Sequence, residues 1–202
     1  MTLWRGNRPL VLASQSRARQ TLLANAGIEF ESDAAEIDER AIQQASGLVA
    51  PGEIANLLAR EKASFVSARR PGHYVIGADQ TLALGPRIFN KPAGRAQAAD
   101  QLRALAGHRH ELHAAVAVAR DGKILFEHVA IARMTMRRLS DADIDSYLNE
   151  AGAAVTSSVG AYQLEGLGIH LFETIDGDHF TILGLPLLPL LAFLRGEHLL
   201  GI

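Results

Sequence analysis

The stretch VIGADQTLAL, residues 75–84, has the pattern of a β-strand with two polar residues side by side in it. Asp79 and Gln80 lie among apolar residues, and Thr81 is the only other polar side chain in the stretch. A buried carboxylate or amide without partners destabilises a fold, so this pair needs hydrogen bonds or a function. Adjacent residues of a regular strand point to opposite faces. The two side chains can therefore serve one site only where the strand ends, where it bulges, or where the site wraps around its tip.

The chain before this strand alternates between strand and helix signals. An apolar run at 9–13 is typical of a buried strand, and Ser14 is predicted to cap a helix over 17–26. A second strand is predicted at 28–32, and a long helix with an apolar stripe at 53–69. This alternation favours an α/β fold.

The chain after the strand continues the alternation and adds antiparallel pairing. Asp121-Gly122 is a hairpin signal, and Ser140 with Asp143 has the spacing of a capping box. With no internal repeat or clear linker, we expect a single domain over residues 1–202, in which any second lobe is interleaved rather than appended. The elements predicted in this half are a helix at 93–106, strands at 110–119 and 124–136, a helix at 141–150, a strand at 168–175 and a last helix after Pro186.

Composition and charge exclude several classes of function. The net charge is −2 over 202 residues, which gives no electrostatic case for binding nucleic acid or a membrane surface. Without cysteine the chain has neither a disulfide framework nor thiolate chemistry. The N-terminal apolar run is too short for a signal peptide, and glycine and proline interrupt the uncharged stretch 180–194. We expect a soluble cytoplasmic protein that binds neither nucleic acid nor membranes.

The stretch LASQSRARQTLL, residues 12–23, leads from a strand through two serines into a helix. The start of a helix attracts anions through its free N–H groups and its dipole. Ser14 and Ser16 add hydroxyl groups there, and Arg19 adds a guanidinium group that suits phosphate. The alternative is an ordinary helix cap with surface arginines. A Walker A loop is excluded, because its glycine and lysine spacing is missing.

Acidic and basic residues elsewhere in the chain suggest a metal site and further phosphate contacts. A run of acids between residues 29 and 39 contains no base and ends at Glu39, and such carboxylates suit Mg²⁺ or Mn²⁺. Lys62 lies at the edge of the predicted helix stripe, and Lys91 follows the strand in the segment NKP. The alternatives are a loop acid, a lysine that extends along the surface, and a solvated loop lysine. The histidines near residue 110 follow a strand pattern, which argues against a metal cluster.

These motifs together resemble the Maf family of nucleoside triphosphate pyrophosphatases. The resemblance covers nearly the whole chain in the family's order, although no single motif is diagnostic. It implies an α/β fold of the inosine-triphosphatase-like kind, a twisted mixed sheet with two lobes around a cleft. It also implies hydrolysis of a nucleoside triphosphate to the monophosphate and pyrophosphate, with a divalent metal, Mg²⁺ or Mn²⁺, by a homodimer. The matching stretches are LASQSRARQTLL, IDE at 37–39, EKA at 61–63, IGADQ at 76–80, NKP at 90–92, GHRHEL at 107–112, VGAYQLEGLG at 159–168 and GLPL at 184–187.

The resemblance also implies roles for individual residues. Asp79 matches the family's acidic catalytic residue, described as the proton acceptor, and Asp79 and Glu39 are the candidate metal ligands. Arg19 matches the second arginine of the family's SxSPRR stretch, and Lys62 and Lys91 match its phosphate-region lysines. Three positions are linked to substrate choice in the family, and here they are Ala18, Gln80 and Glu165.

The chain departs from the family pattern at two places. Arg17 and Ala18 stand where proline and arginine are frequent, and Ala114 stands where threonine is common. Gln80 with Glu165 is similar to the 7-methyl-GTP branch, because the thymidine- and uridine-type members have threonine and glutamine. The alternatives are a dTTP or UTP pyrophosphatase, a nucleotide-binding regulator of septum formation without useful turnover, and a hydrolase of inosine triphosphate.

Overall fold

Seven strands form one mixed sheet in the computed structural model, which describes residues 3–201. The strands are β1 (Leu10–Leu12), β2 (Phe30–Ser32), β3 (Val75–Leu84), β4 (Arg87–Phe89), β5 (Arg109–Arg120), β6 (Lys123–Met136) and β7 (Phe172–Asp176). Their order is β2-β1-β3-β5-β6-β7, and β4 pairs with β3 outside this path. Strand β1 pairs in parallel with β2 and β3, whereas the β3–β4 and β6–β7 pairs are antiparallel.

Helices connect most of the strands, and this confirms the α/β class predicted from the alternating signals. Three short 3₁₀ helices lie in addition between residues 152 and 171. No helix within residues 3–201 is long and apolar enough to cross a membrane. The α-helices of the described chain are α1 (Arg17–Asn25), α2 (Glu39–Ser46), α3 (Pro51–Arg69), α4 (Arg95–Leu105), α5 (Asp141–Ala151), α6 (His179–Ile182) and α7 (Leu187–Gly196).

Local sequence signals explain several element boundaries. Gly27 follows α1 with φ of 71°, a left-handed conformation that glycine adopts at little cost. Asp121 and Gly122 both have positive φ, as a two-residue hairpin of type I′ requires between β5 and β6. Ser140 and Asp143 form the predicted capping box at the start of α5. These predictions are confirmed.

Other local predictions are wrong, each because a different hydrogen bond forms. Ser16, not Ser14, caps α1, since its hydroxyl accepts from the Arg19 N–H. The strand predicted at 168–175 begins only at Phe172. Gly168 instead donates its N–H to the Gln163 carbonyl, and a Cβ on it would lie 2.4 Å from that oxygen. This tight turn occupies the backbone that a strand would need.

Contacts divide the chain into two units that are interleaved along the sequence. The first unit contains residues 3–80, 114–130 and 179–201, and the second contains Thr81–His113 and Ile131–Asp178. Strands β3, β5 and β6 each run from one unit into the other. The boundary in β3 falls directly after Gln80, so the polar pair of that strand ends a segment of the first unit.

The core of the second unit contains a buried histidine. His110 of β5 is 1% exposed, and its Nε2 lies 2.8 Å from the Tyr162 hydroxyl. Its ring also lies against Phe172, with ring centroids 5.9 Å apart. Burial among these groups lowers the pKa of His110 from 6.5 to about 4. The ring is therefore neutral at neutral pH.

Because the pKa of His110 is lowered, we expect the protein to lose stability in mild acid. Between pH 6.5 and about 4 the unfolded chain binds a proton at His110 that the folded chain does not, so stability falls as pH falls through that window. We expect its contribution to the free energy of unfolding to drop by about 2 kcal/mol between roughly pH 7.5 and pH 5. Urea unfolding across this range measures the drop. In His110→Gln the amide can still bond Tyr162 but cannot titrate, so its profile should be flatter; parallel profiles would contradict the prediction.

Candidate active site

Packing of α3 against β3 places the charged residues of the first unit. Gly77 of β3 touches the helix backbone so closely that a Cβ would lie 2.1 Å from the Ala59 carbonyl oxygen. Ala59 and Ala63 are both fully buried at this contact, and their small side chains permit it. Asp79 is two residues beyond Gly77 and therefore points to the same face of the strand. This close packing brings Lys62 of α3 into contact with the Asp79 carboxylate.

Lys62 bridges two carboxylates. Its Nζ donates to Asp79 Oδ1 at 2.7 Å and lies 2.8 Å from Glu39 Oε1. Lys62 and Asp79 are each 8% exposed, whereas the Glu39 side chain is half exposed. Lys62 is thus buried, and it does not extend along the surface as an ordinary lysine at a helix edge would. Burial strengthens the attraction within this group of charges.

Glu39 reaches Lys62 from the start of α2, a helix that the sequence did not indicate. Asp38 caps α2 by accepting a hydrogen bond from the Ala41 N–H at 3.0 Å, and Glu39 is the first helical residue. Acidic residues at a helix start are favourable because of the helix dipole. The acidic run thus contains a cap and a first-turn glutamate, a signal from which α2 could have been predicted.

Burial makes Asp79 a stronger base than an exposed aspartate. Loss of solvent raises the pKa of the Asp79 carboxyl above its ordinary value, although the positive charges of Lys62 and Arg19 oppose the shift. Glu39 acts in the same direction as burial. A carboxylate whose pKa lies closer to neutral accepts a proton more readily at neutral pH. Asp79 therefore has the environment of a general base.

Arg19 of α1 adds a second positive charge, held by hydrogen bonds to backbone carbonyls. Its Nε donates to the Gly184 carbonyl at 2.8 Å, and its Nη1 donates to the Ala78 carbonyl at 2.8 Å. Nη1 also donates to the Ser14 hydroxyl at 3.3 Å. Strand β1 ends at Leu12, so the Ala78 carbonyl lies beyond the pairs that β1 forms with β3. The Arg19 guanidinium group binds this carbonyl in place of a strand partner. Its positive charge therefore lies beside Ala78, the residue before Asp79.

Gln80 points away from Asp79. Its amide nitrogen donates to the carbonyls of Thr181 and Ile182 in α6, each at 3.0 Å. Both partners are carbonyl oxygens, so the nitrogen must face them, and the amide oxygen keeps its accepting capacity. Strand β3 continues through both residues to Leu84, so the polar pair lies neither at the end of the strand nor on one face.

The structure brings together only part of the predicted site residues. Ser14, Ser16, Ala18, Arg19, Glu39, Lys62, Asp79 and Gln80 all belong to the first unit. Lys91 and Glu165 belong to the second unit, where both are exposed. Within residues 3–201, neither of these two side chains forms a hydrogen bond or an ion pair. Ala18 is half-buried in the first turn of α1.

Gly184 is a residue of this region to which sequence reasoning gave no role. Its φ of 87° is left-handed, and a Cβ on it would lie 3.3 Å from Arg19 Nη2 and 3.5 Å from Gln80 Cδ. Its carbonyl accepts from Arg19. Glycine thus lets the chain pass closely between Arg19 and Gln80. The signal in the sequence was the place of Gly184 at the start of GLPL, one of the stretches that match the family.

Glu39 and Asp79 supply carboxylate oxygens that could bind a divalent cation, although they are only two residues. Oxygens of Glu39 and Asp79 converge on the ammonium of Lys62, so this point already attracts positive charge. Among residues 3–201, no group of three or more histidine, aspartate or glutamate residues is arranged to hold a metal. Two carboxylates nevertheless suit Mg²⁺, which commonly takes one or two from the protein and completes its shell with water and phosphate oxygens.

An α/β fold that buries a carboxylate near two cationic side chains has the charges that suit a protein acting on an anionic substrate. Comparison with known proteins gives the family. The profile described as Maf-like protein matches residues 9–197, and the chain belongs to the Maf family. This confirms the resemblance inferred from the ordered motifs.

Close relatives carry names that describe an activity. The chain is 70% identical over 202 residues to a nucleoside triphosphate pyrophosphatase of Bradyrhizobium diazoefficiens, and 69% identical over 202 residues to one of Rhodopseudomonas palustris. Both alignments cover 100% of each chain. It is 55% identical over 191 residues to a 7-methyl-GTP pyrophosphatase of Brucella abortus, which covers 93% of this chain and 96% of the relative.

Proposed function

We propose that this nucleoside triphosphate pyrophosphatase acts preferentially on 7-methyl-GTP. It hydrolyses the bond between the α and β phosphates and releases the monophosphate and pyrophosphate. The observation that carries the proposal is Asp79, a buried carboxylate with a raised pKa that Lys62 contacts at 2.7 Å. The names of the relatives at 70% and 55% identity support the activity and the substrate respectively.

The residues of the first unit divide the chemistry among them. Asp79 accepts the proton of the attacking water, a role that suits a buried carboxylate with a raised pKa. Lys62 and Arg19 offset the roughly four negative charges of a triphosphate. Glu39 and Asp79 would hold a Mg²⁺ or Mn²⁺ ion, which would supply positive charge for the phosphate oxygens. Positioning and charge stabilisation supply most of the catalysis in phosphoryl transfer.

The polar groups available for the base suit a 7-methylguanine. Because the Gln80 nitrogen is bound to α6, this residue offers a base only its acceptor oxygen. Guanine presents N–H donors on its Watson–Crick edge, which an amide oxygen such as that of Gln80, or a carboxylate such as that of Glu165, can accept. Methylation at N7 gives the base a positive charge, which a carboxylate attracts more strongly than an amide does. Lys91 contributes a further positive charge for the phosphates.

A panel of nucleotides tests the proposal directly. Purified protein with Mn²⁺ or Mg²⁺ is expected to release pyrophosphate from 7-methyl-GTP faster than from dTTP, UTP, CTP or ITP. Preference for dTTP or UTP would replace the proposed substrate with a pyrimidine nucleotide. Nucleotide binding without release from any of them would favour the regulator of septum formation. Light scattering of the same sample tests the homodimer that we propose.

Glu165→Gln is expected to shift the preference of the protein away from 7-methyl-GTP. The substitution keeps the shape of the side chain but removes the charge that attracts the methylated base. The ratio of kcat/KM for 7-methyl-GTP to that for GTP should fall about tenfold, the difference between a charge-assisted and a neutral hydrogen bond. Glu150→Gln is a matched control, because Glu150 is also exposed in the second unit. An unchanged ratio in Glu165→Gln argues against this role.

A further inference from the structure

Gln101 of α4 connects two loops of the second unit through one buried amide. Its Nε2 donates to the Asn90 carbonyl at 2.8 Å, and its Oε1 accepts from the Gly160 N–H at 3.1 Å. The side chain is 7% exposed. A carbonyl at one end and an N–H at the other fix the orientation of the amide. Because a buried polar group is costly when unpaired, both hydrogen bonds are expected to persist.

The two loops hold the predicted site residues of this unit. Asn90 directly precedes Lys91, and Gly160 lies at the start of the segment VGAYQLEGLG, which contains Glu165. The carbonyl and the N–H that contact Gln101 belong to the backbone of these loops, so their positions depend on the same side chain. Gln101 itself makes no exposed contact that a substrate could use, since both ends of its amide are engaged.

The segment around Gly160 is strained and held from several sides. Gly160 has φ of 77°, and a Cβ on it would lie 2.6 Å from Leu82 Cδ1. Ala161 also has positive φ, 62°, which is unusual for a residue with a side chain. The Tyr147 hydroxyl donates to the Ala161 carbonyl at 3.1 Å. Strained backbone persists only where surrounding groups enforce it, and it concentrates at functional sites.

We propose that Gln101 is a positioning residue that fixes the Lys91 loop relative to the Glu165 loop. It thereby sets how the enzyme binds its nucleotide and which base it prefers, without touching the substrate. The proposal rests on the proposed function for the roles of Lys91 and Glu165. A purely structural Gln101 differs in a measurable way, since its loss would lower stability but leave KM and substrate preference unchanged.

Two substitutions at this position separate its two hydrogen bonds. Gln101→Met keeps the length of the side chain and removes both bonds. Gln101→Glu keeps the acceptor for the Gly160 N–H but sets a carboxylate oxygen against the Asn90 carbonyl, so it should release only the Lys91 loop. Ser140→Ala is the control for lost stability. It removes the capping box of α5 in the same unit and touches neither loop.

The first measurement is steady-state kinetics with 7-methyl-GTP and GTP. Gln101→Met is expected to raise KM for 7-methyl-GTP about tenfold, equivalent to one lost positioning interaction, and to reduce the preference over GTP, with a smaller change in kcat. Gln101→Glu should raise KM but keep more of the base preference. Ser140→Ala should change neither quantity. Unchanged KM and preference in Gln101→Met, together with lowered stability, would overturn the proposal.

Hydrogen exchange of the backbone amides tests the same coupling without activity. Gln101→Met should accelerate exchange both at residues 90–91 and at 159–165, whereas Gln101→Glu should accelerate it at 90–91 only. Ser140→Ala should accelerate neither. Wild-type protein that releases no pyrophosphate would defeat the proposed function, and the exchange data would still decide whether Gln101 couples the loops. Unchanged exchange at both loops in Gln101→Met rejects the coupling.

Discussion

Asp79→Asn is expected to lower kcat for pyrophosphate release by about 10²–10⁴-fold, the usual range for loss of a general base. The asparagine keeps the size of the side chain and an oxygen that can accept from Lys62, which contacts Asp79 at 2.7 Å. It cannot accept a proton from water at neutral pH, and it is a weaker metal ligand. The measurement is pyrophosphate release under single-turnover conditions, which isolates the chemical step from product release.

The folded state of Asp79→Asn should remain intact. The asparagine oxygen can still accept from the Lys62 ammonium, so this buried cation keeps a polar partner at the position of Asp79. Lys62 keeps its second partner, Glu39, at 2.8 Å. Circular dichroism and thermal unfolding check this, with Asp100→Asn as a control at an exposed acid of the second unit. Near-normal turnover by folded Asp79→Asn would contradict the assignment of Asp79 as the general base.

Gly77→Ala is expected to lower the free energy of unfolding by about 3 kcal/mol or more, the upper end for overpacking a core. A Cβ at this position would lie 2.1 Å from the Ala59 carbonyl oxygen and 2.6 Å from the Ala63 nitrogen. Both are backbone atoms of α3, so no side-chain rotation relieves the clash and the helix must shift. Because α3 also carries Lys62, activity should fall as well. Urea unfolding followed by circular dichroism measures the loss of stability.

Gly94→Ala provides the matched control for this substitution. A Cβ at Gly94 meets no atom within 4 Å, and its φ of −177° is extended backbone that any residue adopts. Gly94 is the N-cap residue of α4, where alanine is less favourable than glycine, so Gly94→Ala should lower the free energy of unfolding by about 1 kcal/mol at most, well below the loss expected for Gly77→Ala. Equal urea midpoints for Gly77→Ala and wild type would show that α3 is not held against β3 as closely as described.

Sequence signals predicted the elements whose cause is local. The bounds of β3 agree with the stretch 75–84, because proline and glycine mark both of its ends. The capping box of α5 was predicted equally well, since its two partners are three residues apart. Elements that depend on remote contacts were missed or misplaced. The 3₁₀ helix before Phe172 follows from the close approach of Gly168 to the Gln163 backbone, and no periodic pattern in the sequence predicts this helix.

The candidate site shows the same division. Motif order predicted the Maf family, and the profile match at residues 9–197 confirmed it. The motifs could not show that Lys62 is buried, because a lysine at the edge of a helix stripe normally extends into solvent. They also could not show that the amide nitrogen of Gln80 donates to carbonyls of α6, since Gln80 and Thr181 lie 101 residues apart.

By itself, the sequence determined that strand β3 carries an acid and an amide at its centre, and that these two side chains point to opposite faces. That follows from the two-residue period of every strand and needs no knowledge of neighbours. Only the tertiary structure decided what each face contains: Lys62 and Glu39 around Asp79, and the α6 carbonyls at Gln80. Side chains far apart in sequence meet only after helices pack on the sheet. The absence of a side chain at Gly77 sets how closely α3 packs there.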